Sequence, residues 1–212
     1  MKQLLITIAA VVLVGCGTTQ PPEPPTAKAP DISIHEAARD GNIEAVKQHL
    51  IAGTNINEKD DIWGQRPLHQ AIAAGHAEIA KLLIESGANV NATNNFNATP
   101  LGLAADKSES IVKLLIDNGA DVNAKNTMGT TALHGAASSG NKIVAELLIA
   151  NGADVNAKFQ GFETPLDSAE ELAGDETPEM LAAKKEIANL LRKLGGKTGI
   201  ELMSAELKAA GN

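Results

Sequence analysis

Reactive side chains are few in this chain, and their spacing limits what they can do. Cys16 is the only cysteine, so neither an internal disulfide nor a cysteine metal cluster can form. Five histidines, His35, His49, His69, His76 and His134, are the next candidates for proton transfer or metal binding. His35 and His69 lie 34 residues apart, and His134 stands 65 further on, about twice that interval. Histidines that recur once per structural unit sit about one unit apart, too far to share an ion. His49 is isolated and is expected to be solvated. The acidic run Asp167, Glu170, Glu171, Asp175, Glu176 and Glu179 is a third candidate, for a cation or a basic partner. Such runs are ordinarily solvated faces, and no EF-hand spacing supports calcium. No nucleophile motif or phosphate loop occurs. The chain is therefore read as non-enzymatic, with no cofactor and no metal site.

The elements that carry these residues repeat. Arg66-Pro67-Leu68-His69, Thr99-Pro100-Leu101-Gly102, Thr131-Ala132-Leu133-His134 and Thr164-Pro165-Leu166-Asp167 are copies of one phrase about 33 residues apart. A second phrase, Gly87-Ala88-Asn89-Val90-Asn91, recurs at Gly119 and Gly152, with a degraded copy at Gly53, so the glycines stand 34, 32 and 33 residues apart. Thr99 or Thr131 suits an N-cap, and Pro67 or Pro100 suits the first helical position, where a missing N–H costs nothing. A short helix comes next, and Gly75 ends it. A second helix carries Ile79, Leu82 and Leu83 at helical spacing and stops at Gly87. Val90 is left in an extended stretch, with Asn91 expected to bond its own backbone in a turn. One such unit cannot bury its apolar face, so neighbours must stack.

Coupled motifs at this period resemble the ankyrin repeat family from about Ile32 to about Gly196. The resemblance implies an all-α repeat solenoid of about five helix-turn-helix units joined by hairpin fingers. It also implies that His69, His134 and His35 hydrogen-bond neighbouring backbone, and that His76 belongs to the family's Gly-His turn. The first unit enters through Ile32-Ser33-Ile34 and carries Arg39, Asp40, Lys47 and Gln48, as suits an end unit. In the third unit Asp106-Lys107-Ser108 shortens the turn by one residue and lacks glycine, so that turn is expected to be strained or reshaped. The fifth unit is stretched: its second helix should run from Pro178, capped by Thr177, to Leu194, with Ile187, Leu190, Leu191 and Leu194 inward. Thr198-Gly199-Ile200-Glu201 reads as a capping box opening a C-terminal capping helix, with Ile200, Met203 and Leu207 closing the last repeat as a lid.

Leu4 to Val14 are apolar or small residues behind Lys2, too short to span a bilayer and placed as in a signal peptide. Leu13-Val14-Gly15-Cys16 resembles the lipobox of bacterial lipoproteins. That implies cleavage before Cys16 and acylation of its sulfur and new N-terminus, and Gly17 in place of Asp favours the outer membrane. Five of nine prolines fall between Cys16 and Asp31, a semi-rigid spacer reaching about 45 Å at roughly 3.1 Å per residue. The expected division is 1–15 signal peptide, 16–31 lipidated cysteine and spacer, 32–199 repeat domain and 200–212 capping helix. Without Lys2 the chain holds 17 basic against 26 acidic residues, a net charge of −9 that argues against nucleic acid and anionic lipid.

The aromatic residues are few and localised. Tyr is absent, and Trp63, Phe96, Phe159 and Phe162 all lie in the segments joining one repeat to the next, with Met128 in the matching place of the fourth unit. Aromatics withheld from the core and concentrated on fingers suit either a partner-binding stripe or local pads that pack finger against finger. The expectation is a monomeric, lipid-anchored protein-interaction module in the bacterial cell envelope, on the periplasmic face of the outer membrane, gripping a protein partner. An inhibitor or immunity protein is a narrower version. The alternative is a structural envelope lipoprotein that acts as a spacer without a single partner.

Overall fold

The computed structural model describes residues 28–159, 161–171, 174 and 176–210. The signal peptide, Cys16 and most of the spacer expected from the sequence lie outside these residues. Eleven helices occur among the described residues. They pair as α1 (Ile34–Arg39) with α2 (Ile43–Ile51), α3 (Pro67–Ala73) with α4 (Ala77–Glu85), α5 (Pro100–Ala104) with α6 (Glu109–Asp117), α7 (Ala132–Ser138) with α8 (Lys142–Ala150), and α9 (Pro165–Glu170) with α10 (Pro178–Lys193). A last helix, α11, spans Gly199–Ala210. The only extended pairing among the described residues is an isolated bridge between Phe159 and Glu163.

Each unit starts where the sequence places its cap. Thr99 and Thr164 accept N–H groups from Gly102 and Asp167, and Ser33 forms a reciprocal capping box with Glu36. Pro67, Pro100, Pro165 and Pro178 occupy first helical positions. First helices stack into one layer and second helices into another. Leu68, Leu101, Leu133 and Leu166 are buried at equivalent places in the first layer, and Leu83, Leu115, Leu148 and Leu191 in the second. Alanines such as Ala71, Ala104 and Ala136 are fully buried between them, letting the short helices approach closely.

Asparagine joins the units in a way the sequence reading missed. Asn91 does not fold back on its own turn; its side chain donates to Gly119 O at 2.9 Å and accepts from Asp121 N at 2.8 Å, one unit on. Asn57, Asn123 and Asn156 make the same two bonds to their next units. The local turn belongs instead to Asn55, Asn89, Asp121 and Asp154, whose side chains accept the N–H two residues on. The result is a polar ladder along the stack.

Three further expectations change, and one is decided. The Asp106-Lys107-Ser108 turn is reshaped rather than strained: α5 ends at Ala104, and Ala104 O accepts from both Lys107 and Ser108. Ser108 then caps α6 from an extended conformation. On α10, Ile187 and Leu191 are buried and Leu190 is half-buried, but Leu194 is exposed. Lys184 takes an inward place, one turn before Ala188, donating to Glu171 O and pairing with the equally buried Glu176 at 3.0 Å. The acidic run is thus partly interior, with Glu170 also paired to Arg192 at 2.9 Å; Asp175 lies outside the described residues. Finally, the α11 capping box forms, but the helix is no lid. Ile200 and Leu207 are 73% and 66% exposed, because α11 stands outside both layers, where a further finger would begin. No helix among the described residues is long and apolar enough to cross a membrane.

Candidate partner interface

The finger tips are set by a repeated polar device. Asp60, Asn94 and Asn126 open the second, third and fourth units' fingers, and each side chain accepts backbone N–H groups across the tip. Asp60 Oδ1 takes Ile62 N and Trp63 N, Asn94 Oδ1 takes Phe96 N and Ala98 N, and Asn126 Oδ1 takes Met128 N and Thr130 N. The base of each hairpin closes through Asp60 N to Gln65 O, Asn94 N to Ala98 O and Asn126 N to Thr130 O. The residue after the tip has positive φ in three fingers, at Gly64, Asn97 and Gly129, and in the fifth unit the tip residue Gly161 has it. Asn97 is the one non-glycine there, a residue type that tolerates the left-handed region. Fingers bond to each other through Asn95 N to Trp63 O and Thr127 N to Phe96 O, each 2.9 Å.

This framework brings a large apolar side chain from each of four fingers to the solvent edge, and the first finger adds Ile62, 74% exposed. Trp63, Phe96, Met128 and Phe162 are 51%, 49%, 51% and 60% exposed. Trp63 and Phe96 are also tilted against each other, with ring centroids 5.6 Å apart, so the first two members are at once exposed and mutually supporting. Phe159 departs from the row. It is half-buried and meets the buried His134 ring edge-on at 6.2 Å, and Phe162, one place past the tip residue Gly161, supplies the exposed ring of the fifth unit.

The histidines are structural. His69 is fully buried; its Nδ1 accepts Arg66 N, so Nε2 carries the proton and donates to Ala92 O and Ala98 O of the next unit at 3.1 and 3.2 Å. Burial pushes its pKa down to about 4. His134 is bound likewise by Thr131 N, and burial lowers its pKa; its buried Nε2, turned toward the backbone of Glu163 and Ala157, makes no hydrogen bond of full geometry among the described residues. His35 bonds Glu58 O and His76 bonds Arg39 O. His49, expected in solvent, is buried between Ile32 O and Thr54 Oγ1 and ties the chain's entry to the first unit. No grouping of His, Cys, Asp and Glu suited to a metal ion occurs among the described residues.

Beside the first tip lies an open cleft of about 820 Å³ whose walls include Glu36, Arg39, Glu58, Lys59, Asp60, Asp61, Ile62 and Trp63. The backbone N–H groups of Trp63, Gln65 and Ile62, with the Gln70 amide, hold Asp60 below the usual carboxylate pKa against the effect of its burial, so it stays ionised while fixing the tip. The exposed sides of the first helices and the turn after α5 present Ala73, Ser138 and Asp106, small or polar residues without an apolar anchor.

Comparison with known proteins agrees with this architecture. The family model described as ankyrin repeats (3 copies) matches residues 34–126 and 109–159, more than half of the chain. Among similar proteins, mouse 2-5A-dependent ribonuclease is 36% identical over 74 residues, 35% of this chain and 10% of that protein. Human protein phosphatase 1 regulatory subunit 27 is 39% identical over 71 residues, 34% of this chain and 46% of the relative. A fission-yeast protein named ankyrin repeat-containing protein P1E11.10 is 36% identical over 69 residues, 32% and 33% of the two chains. The aligned segment spans less than half the length of each of these relatives, so their likeness concerns the repeats. With its recurring phrase, its two helix layers, its fingers and this family match, the chain belongs to the ankyrin repeat family.

Proposed function

We propose that this chain is a non-enzymatic protein-binding module whose partner lies along the finger tips, with Trp63, Phe96, Met128 and Phe162 as anchors. The observation that carries the reading is the half-exposed apolar side chain that each of four successive fingers brings to the solvent edge. An exposed Trp followed by a Phe suits the anchor chemistry of protein interfaces, and hydrogen bonds already made within each finger mean that little order has to be imposed on binding. A spacer without a partner has no need of such a row. The test is capture from envelope extract: Trp63→Ala with Phe96→Ala should weaken capture by about 2 kcal/mol or more per anchor while thermal stability stays nearly unchanged. A fall in melting temperature with capture intact would make the row a packing pad.

Anchoring is the second part of the proposal, and it rests on sequence. The apolar segment, Cys16 and the proline-rich stretch after it support a lipid-tethered module held off a bacterial membrane, with the periplasmic face of the outer membrane as its place. Cys16→Ser should move the protein from the membrane pellet to the soluble fraction. Retention of that variant through detergent-free washes would refute the tether.

A further inference from the structure

The finger-tip row is apolar, and the charge beside its first member specifies what it fits. Trp63 and the 74% exposed Ile62 form one lip of the 820 Å³ cleft. Four acidic residues line it, Glu36, Glu58, Asp60 and Asp61, against two basic ones, Arg39 and Lys59. Arg39 is already engaged, 2.8 Å from Asp40. Glu36 is used as a cap by Ser33, and Asp60 holds the tip. The carboxylates of Glu58 and Asp61 are different: both residues are exposed, and neither carboxylate makes an ion pair or hydrogen bond among the described residues. The cleft thus sets two unpaired carboxylates against one unpaired cation, Lys59, beside Trp63, on a chain of net charge −8.

Resting on the finger-tip reading, we propose that the occupant of this end of the row is a protein segment presenting an Arg or Lys side chain next to an apolar one. The cation lies in the cleft against the Trp63 ring, within reach of Asp61 and Glu58, and the apolar side chain packs over Ile62 and Phe96. A guanidinium or ammonium over an indole is attracted by the ring's negative face, and the carboxylates add to the same field. Arg is the better fit, since its flat guanidinium stacks on the ring while its edge donates to a carboxylate. An acidic or purely apolar segment leaves the cleft charges unmatched, which costs affinity and slows encounter.

Trp63 is the chain's only tryptophan, so its fluorescence reports this site alone. The probe is a short synthetic peptide of repeating Leu-Arg-Arg-Leu, run against Leu-Glu-Glu-Leu and Gly-Arg-Arg-Gly versions and against spermidine. The expected result is a saturable change in Trp63 emission with the first peptide, weaker with Gly-Arg-Arg-Gly and absent with the acidic one. Affinity should fall as salt shortens the screening length below about 10 Å. The double variant Glu58→Gln with Asp61→Asn should lose about tenfold in affinity, largely through slower association, and melt like the parent chain. No saturable response to the basic peptide, equal binding of the acidic peptide, insensitivity to the two substitutions, or spermidine binding as tightly as the peptide would each overturn the proposal. Failure here is separable from failure of the wider reading. If the charge variant still captures a protein from envelope extract while the Trp63→Ala with Phe96→Ala variant does not, the row binds and its partner is not basic.

Discussion

One position in the repeat shows how a single side chain joins units, and how it changes with its neighbours. His69 and His134 each accept an N–H from the start of their own helix, and His69 passes a proton donor forward to the carbonyls of the next finger. In the third unit Gly102 leaves this place empty. In the fifth, Asp167 fills it: its Oδ2 accepts Thr164 N and also Gly199 N, both at 2.8 Å. An acceptor replaces a donor because the neighbouring element is the N-terminus of α11, which offers an N–H, not a finger carbonyl. The histidine role could be read from recurrence; the switch at Asp167 could not, because it depends on what lies 32 residues on. His49 escapes sequence reasoning for the same reason, its two partners being Thr54 and the distant Ile32 carbonyl. The burial of His69 gives a pH prediction. Its folded-state pKa, about 4, lies below the unfolded value of about 6.5. The unfolded chain therefore binds a proton that the folded one refuses, so stability is full above pH 6.5 and is lost as pH falls toward 4. At about 1.4 kcal/mol per unit of displacement, the loss reaches on the order of 3 kcal/mol, and His134 adds in the same direction. Urea melts at pH 7, 5.5 and 4.5 should show it, and a midpoint that holds constant across that range would contradict the assignment.

Among the elements, local signals survived and those needing a third dimension did not. Thr177-Pro178 and Thr198 to Glu201 mark the starts of α10 and α11 through contacts within four residues, so both were legible. Which face α11 turns to its neighbours was not, because amphipathic spacing says that a face exists and not what covers it. Lys184 is the clearest case. In sequence it is one charge among many on a polar helix; in the fold it is buried with Glu176 and fixes the long connection between α9 and α10. Removing one partner of such a pair strands the other. Lys184→Met should therefore cost about 3 to 5 kcal/mol, while adding Glu176→Gln to Lys184→Met should recover much of that loss, because two buried charges replaced together leave neither unmatched. Chemical denaturation of the two variants checks this. Equal losses in both would mean that the pair is solvated and contributes by shape alone.

At the scale of the molecule the chain is a one-dimensional stack with a sided surface. From the second unit to the fifth the same leucine places are buried against the neighbours, every ladder asparagine reaches only to the next unit, and each finger brings at least one large exposed apolar group to one edge. The period of the sequence made the stack legible because each unit repeats the same local instructions. It also located the first three members of the row, since residues placed alike in successive units line up when those units stack. What the period left open was the end of the stack, where there is no next unit to copy. This geometry fixes where a truncation hurts. Leu115 is fully buried in the second-helix layer with units on both sides, so Leu115→Ala opens a cavity flanked by packed helices and should cost about 2 to 5 kcal/mol. Leu207, 66% exposed on a helix outside both layers, leaves no cavity when shortened, and Leu207→Ala should fall within about 0.5 kcal/mol of the parent chain. Urea melts of the two variants provide the comparison. A large loss at Leu207 would mean that α11 folds back onto the last repeat in solution as the lid its sequence suggests, and that the apolar edge ends at Phe162.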